Sequence, residues 1–284
     1  MPTTILAAAS GGTASAGAVD VACRLAKRFD AHLEGFHVMP DPRQFIVAAG
    51  FDVPVTADLI DRLVEDGKQI AAKAKSEFER AAARNGLPVD KAGSRNAPSA
   101  SWREETGYAP TAVADRGRFF DLVVLGRSER IVDQPHTDAI EQTLMRSGRP
   151  VLLAPAKAPA SLGETIALGW DGSTSAVHAL AGTLTLLSAA RRVVVITVGK
   201  ANGASSGAAV VEYLSWHGVS ATHRQVLPVQ GVGSGELLLA SAREDDADLL
   251  IMGGYGHAPW REVLFGGATR QIVGSSLLPV LLAH

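Results

Sequence analysis

The chain predicts an α/β fold of two doubly wound parallel sheets, each of five strands, arranged as a pseudo-two-fold tandem repeat. Three observations carry this expectation. Short apolar runs such as Val193-Val194-Val195-Ile196 alternate with stretches whose apolar residues recur at helical spacing, the pattern of strands buried on both faces by helices. The chain also repeats itself. Ile5-Leu-Ala-Ala-Ala-Ser-Gly-Gly12 is echoed by Ile166-Ala-Leu-Gly-Trp-Asp-Gly-Ser173, Asp121-Leu-Val-Val-Leu-Gly126 by Asp248-Leu-Leu-Ile-Met-Gly253, and Pro150-Val-Leu-Leu-Ala154 by Pro279-Val-Leu-Leu-Ala283. Finally, 46% hydrophobic residues with only 5% aromatic ones describe a core of Ala, Val, Leu and Ile, the usual filling between helices and a parallel sheet.

The repeat sets the domain organisation. Its offset falls from 166 − 5 = 161 at the start to 248 − 121 = 127 and 279 − 150 = 129 later, so the first copy carries some 30 extra residues, placed between 40 and 69. The expected domains are 1–155 and 163–284, joined by a Pro- and Ala-rich linker.

In the first copy a strand at 4–9 precedes a helix at 15–29, where Ala18, Ala22, Leu25 and Phe29 recur at helical spacing. A strand at 32–39 follows. After the insertion, 66–84 reads as a helix with Ile70, Ala74 and Phe78 inward, stopped by Asn85-Gly86. A weak strand near Val89, a helix at 111–118, a strand at 122–125, a helix at 139–147 and a strand at 151–154 complete the copy. The second copy opens with a strand at Ile166. The uncharged stretch 172–190 that follows carries His178 and several Ser and Thr, too polar for a membrane span, and reads as a buried helix. Strands at 193–198, 221–227, 249–252 and 280–283 then alternate with helices at 210–217 and 236–243.

Charge and cysteine content narrow the functional classes. Lys and Arg number 27 against 29 Asp and Glu, and this balance draws the chain neither to nucleic acid nor to an anionic membrane. The single cysteine, Cys23, excludes an intrachain disulfide framework and reads as a small residue on the first helix. Residues 1–19 lack Lys and Arg, so the positive start of a secretory signal is missing, and a cytoplasmic protein is expected.

In an open doubly wound sheet a ligand binds outside the carboxyl ends of the strands, where connections diverge. After strand one of the second copy stands Asp171-Gly172-Ser173, whose carboxylate suits ribose hydroxyls or an adenine amine. After strand four stands Gly253-Gly254-Tyr255-Gly256, where bare backbone lets N–H groups approach phosphate, and then Gly266-Gly267-Ala268-Thr269 at a helix start. The plainer readings are a tight turn and helix caps, with Asp171 itself capping the helix after strand one.

The spacing Gly253-x2-Gly256-x9-Gly266 resembles the nucleotide-binding signature of the universal stress protein family, and the resemblance covers nearly the whole chain as two tandem copies. It implies a Rossmann-like, adenine-nucleotide α-hydrolase-like fold and ATP or ADP as ligand, with Mg2+ as an optional companion. By that resemblance Asp171 and the backbone around Val198 hold the adenosine, while Gly253, Gly256, Gly266, Gly267 and Thr269 cradle the phosphates. Gly267 departs from the family's Ser or Thr, which removes one hydroxyl and keeps the amide. The resemblance also implies that the two copies pair through their final strands as an intrachain pseudo-dimer, with a homodimer as a further option.

The first copy lacks the cradle. Ser10 replaces the Asp, Arg127-Ser128-Glu129 replaces Gly254-Tyr255-Gly256, and Thr137 and Asp138 stand where Gly266 and Gly267 do. A like-charge pair at about 4 Å and an effective dielectric near 20 costs about 4 kcal/mol. That is half of the about 8 kcal/mol in a micromolar affinity, so the first copy is not expected to bind ATP.

No catalytic constellation is evident. His257 beside the glycine loop could contact phosphate or a catalytic water or be a solvated loop histidine, Trp260 could shield a ligand or pack on the helix, and Arg270 could neutralise phosphate or face solvent. Gly203-Ala-Ser205-Ser-Gly207 lies too far past its strand to be a nucleophile elbow, and Gly231-Val-Gly233-Ser-Gly235 reads as a turn with Ser234 near a helix cap. No P-loop and no close grouping of metal ligands is present. The expectation is a nucleotide-dependent sensor or regulator of a stress response with at most slow ATP hydrolysis. Its alternative is a non-nucleotide interaction or small-ligand protein that uses the pseudo-dimer surface or the 40–69 insertion.

Overall fold

The computed structural model describes residues 2–41, 56–89, 97–127, 134–199, 206–254, 276 and 278–284. Its internal contacts divide into two compact units, Pro2–Ser147 and Gly148–His284.

The first unit runs β1 (Thr4–Ala8), α1 (Thr13–Arg28), β2 (His32–Pro40), α2 (Ala57–Asn85), β3 (Ser99–Gly107), α3 (Ala109–Gly117), β4 (Leu122–Gly126) and α4 (Gln134–Ser147). Its strands lie in the order β3-β2-β1-β4, all parallel, so the chain reverses its direction of travel across the sheet between β1 and β4. Ile5, Leu6, Val123 and Val124 are fully buried, as strands covered on both faces require. Helix α1 turns Ala18, Val21, Ala22 and Leu25 inward. Helix α2 starts on Thr56, whose hydroxyl accepts the Leu59 amide, and ends on Gly86 at φ 73°. That positive φ suits glycine, and it lets the Gly86 and Leu87 amides close onto the Ala83 and Ala82 carbonyls. The Phe78 ring fills the space over Gly35 of β2, where a Cβ would lie 2.6 Å from it, and Trp102 flanks it at 5.4 Å.

Two carboxylates, Asp121 and Glu34, anchor this unit's frame. The Asp121 carboxylate, just before β4, accepts the amides and hydroxyls of Thr3 and Thr4 at 2.8 to 3.2 Å. Partial burial works against the charged form, but these donors win and hold its pKa below the usual carboxylate value. Buried Glu34 of β2 takes a two-pronged contact from Arg116 of α3, at 2.7 and 2.6 Å.

The second unit runs β5 (Val151–Ala154), β6 (Thr165–Gly169), α5 (Thr174–Gly182), α6 (Leu184–Ser188), β7 (Arg192–Val198), α7 (Gly207–Trp216), β8 (Ala221–Val226), α8 (Ser234–Glu244), β9 (Leu249–Gly253) and β10 (Val280–Ala283). Strand order is β5-β10-β9-β6-β7-β8, parallel except that β5 runs antiparallel to β10 in the register Val280↔Leu153, Leu281↔Leu152, Leu282↔Val151. Asp248 repeats the Asp121 clamp, accepting the amides of Gly163, Glu164 and Thr165 at 2.8 to 3.2 Å.

The α/β fold with doubly wound parallel strands is as expected, and four details differ. Strand β5, the last strand of the first sequence copy, is built into the second unit, so the described strands divide four and six instead of five and five. Helix α2 begins at Ala57, nine residues before the expected 66, so part of the insertion is helical and 42–55 lie outside the described residues. Val89 makes only an isolated bridge to Ala100, and the strand itself is Ser99–Gly107. The stretch 172–190 is two helices, because Thr183 turns its hydroxyl back onto the Ala179 carbonyl at 2.6 Å where α5 ends. Among the described residues no helix is long and apolar enough to cross a membrane.

Candidate functional site

In the second unit β9, β6 and β7 lie side by side, and Gly253, Asp171 and Val198 stand at or just past their carboxyl ends. The turn after β6 is built by short polar contacts. The Trp170 amide donates to the Ile196 carbonyl at 2.9 Å, which ties the loop to β7. Asp171 is exposed, and its Oδ1 accepts the Ser173 amide at 2.9 Å and the Ser173 hydroxyl at 2.6 Å across Gly172, whose φ is 77°. The Ser173 oxygen in turn accepts the Ala176 amide at 3.2 Å. The capping role weighed for Asp171 therefore belongs to Ser173, and Asp171 orients the cap while presenting its carboxylate at the strand end.

Gly253 has a packing reason to be glycine. A Cβ there would stand 2.5 Å from the Ala176 nitrogen and 2.6 Å from the Ser175 carbonyl carbon, because the first turn of α5 rests on the end of β9. The next amide, Gly254, donates to the Ala283 carbonyl at 2.8 Å. Gly256, Gly266, Gly267 and Thr269, together with His257, Trp260 and Arg270, lie outside the described residues. Half-buried Val198 pairs with Val226, and the Gly199 amide continues that ladder to the Val226 carbonyl at 2.9 Å.

A side chain absent from the sequence expectation stands next to this turn. Trp170 lines a cavity of about 250 Å3 with Val177, Leu180, Val210 and Tyr213, between α5 and α7. The available signal was an aromatic residue directly before the candidate carboxylate.

The corresponding place in the first unit is built differently. The Ser10 amide donates to the Ser15 hydroxyl oxygen at 2.9 Å. A Cβ on Gly11, at φ 75°, would lie 3.2 Å from the Ile70 carbonyl oxygen, so the long helix α2 overhangs the turn after β1. Gly126 repeats the packing of Gly253, this time against the Ala14 and Ser15 backbone. Asp138 is exposed on α4, and with burial as the larger cause it helps push the Glu141 carboxyl above its usual pKa. Glu129 and the Thr137 side chain lie outside the described residues. Cys23 is buried, and burial, reinforced by Asp20, pushes its thiol up to about 12, which makes it a core residue and not a nucleophile. Among the described residues no group of three or more His, Cys, Asp or Glu could hold a metal ion.

This architecture can be set beside known proteins. A universal stress protein of Synechocystis is 28% identical over 192 residues, 62% of each chain. A universal stress protein of Archaeoglobus fulgidus matches in structure with a TM-score of 0.70 at 13% identity, over 99% of this chain and 95% of its own. The chain is similar to universal stress proteins in sequence and has their fold. It spans about 62% of the length of the curated relative it matches. No protein-family model matches it. Within the universal stress protein fold, Asp171 and Gly253 occupy the strand ends at which an open α/β sheet presents its ligand.

Proposed function

We propose that residues 163–284 form a universal stress protein domain that binds ATP or ADP, and that residues 1–155 form a degenerate copy that does not, the whole acting as a nucleotide-dependent sensor or regulator in the cytoplasm. The observation that carries the reading is the turn after β6, with an exposed Asp171 carboxylate at the end of the strand beside Gly253. The carboxylate suits ribose hydroxyls, the peptides around Val198 suit the base, and the cavity beside Trp170 offers an apolar wall next to the same turn. Gly256, Gly266, Gly267 and Thr269 complete the signature and would hold the phosphates, with Mg2+ accompanying ATP. In the first copy Ser10 offers no carboxylate and Ile70 overhangs the turn, which supports the inequality of the copies. The antiparallel β5–β10 pair supports the further reading that the sequence copies associate through their final strands as a pseudo-dimer within one chain.

Native mass measurement of the purified chain and calorimetry with ATP test this. One nucleotide per chain is expected, lost in Gly256→Glu, with affinity roughly tenfold weaker in Asp171→Ala. If the chain neither carries nor binds nucleotide, the ATP reading fails and the small-ligand or partner reading takes its place.

A further inference from the structure

The first unit's own crevice has its own chemistry. It lies at the carboxyl ends of β1 and β4, where the strand order reverses, and encloses about 160 Å3. Its wall includes Ala8, Pro110, Val113, Leu125 and Ile140, and none of its described lining residues carries a charge. An apolar cavity of about 150 Å3 holds one benzene ring, whereas drug-sized ligands take about 300 Å3 or more. A nucleotide is therefore too large for the crevice, and none of its described lining residues offers an ion a counter-charge.

One lining group is polar and buried. Ser15 is only 4% exposed, and its oxygen accepts the Ser10 amide. A hydroxyl also carries one hydrogen to donate, and among the described residues that hydrogen meets no acceptor.

We propose that this crevice binds a neutral, single-ring organic molecule carrying one oxygen, phenol-like in size, with the ring among Val113, Leu125 and Ile140 and the oxygen accepting from Ser15. The first unit is then a small-molecule receptor in its own right, whatever the second unit binds.

Methyl-resolved NMR on the full chain tests this with phenol, benzene and benzoate as probes. Phenol at millimolar concentration is expected to move the Val113, Leu125 and Ile140 methyl signals, and benzoate to leave them in place. Ala8→Leu, which fills the crevice, should weaken phenol at least tenfold, and Ala139→Leu serves the same purpose if the first variant loses its fold. Ser15→Ala should weaken phenol about fivefold and leave benzene unchanged. Methyl signals that ignore phenol, or that respond equally in the filled variants, overturn the proposal. An equal response to phenol in Ser15→Ala overturns the assignment of the oxygen. Nucleotide binding is read separately by calorimetry, so failure of either reading leaves the other measurable.

Discussion

Replacing Gly253 with alanine separates a packing role from a ligand role. The added carbon would meet the Ala176 nitrogen at 2.5 Å, the Ser175 carbonyl carbon at 2.6 Å and the Ser175 hydroxyl at 2.7 Å. Two of those three atoms are backbone of the first turn of α5, so no side chain can swing away and the helix must lift from β9. Overpacking of this kind costs about 1–3 kcal/mol, and a backbone obstacle puts Gly253→Ala at the upper end. With a urea slope of about 2 kcal/mol per M, the midpoint for the second unit falls by roughly 1.5 M. Gly126→Ala should behave alike in the first unit, since its added carbon meets the Ala14 carbonyl group and the Ser15 nitrogen. Gly67 is the control: it lies inside α2 with nothing within 4 Å of an added carbon, so Gly67→Ala should stabilise by about 1 kcal/mol through helix propensity alone. Hydrogen exchange read on peptides from each unit keeps the two transitions apart. If Gly253→Ala leaves α5 and β9 fully protected and only weakens ATP, the packing explanation is refuted and the glycine serves the ligand.

Other expectations follow from the frame. Arg116→Ala leaves the Glu34 carboxylate buried without its cation and should cost about 3 kcal/mol, while Arg116→Met with Glu34→Leu should recover most of that loss in urea unfolding. The Asp121 pKa is lower folded than unfolded, so its contribution is complete above the unfolded carboxyl pKa and disappears as pH falls through the folded value. Stability measured from pH 7 down to pH 3 should therefore fall less steeply in Asp121→Asn than in the parent, and equal slopes would remove Asp121 from the acid limb. Leu281→Asp puts a carboxylate on a strand that is fully buried between β5 and β9, and should unfold the second unit while leaving exchange in β1, β2 and β4 unchanged.

Most strands were legible because burial on both faces writes them as apolar runs: β4, β7 and β9 are recognisable from Val, Leu and Ile alone. Strand β3 was not, since Trp102-Arg103-Glu104-Glu105 lies at the edge of its sheet and four of the strand's nine residues are exposed. The early start of α2 was readable in Thr56 followed by Asp58, a cap and an acidic first turn, but the repeat offset argued for an insertion and masked it. Around the site, the place of Asp171 followed directly from the strand before it. Its partner did not, because Asp and Ser are both good caps and only the geometry shows that Ser173 takes the Ala176 amide.

The repeated residues and the differing ones therefore carry different information. In Asp121-x4-Gly126 and Asp248-x4-Gly253 the carboxylate clamps the start of the unit's first described parallel strand, and the glycine admits the helix that follows that strand. Both ends of the motif are occupied by the fold, so its recurrence speaks for common architecture and says little about ligand. The turns after β1 and β6 show the contrast. Gly11 and Gly172 keep the same positive φ, 75° and 77°, as the shared backbone path demands. Around them Asp171 and Ser173 become Ser10 and Gly12, which removes the exposed carboxylate and the side-chain helix cap together. Trp170 becomes Ala9, and Ile70 comes to overhang the turn. These substitutions change the polarity and the room around the turn while the backbone path stays the same, so the two turns are alike in course and unlike in chemistry.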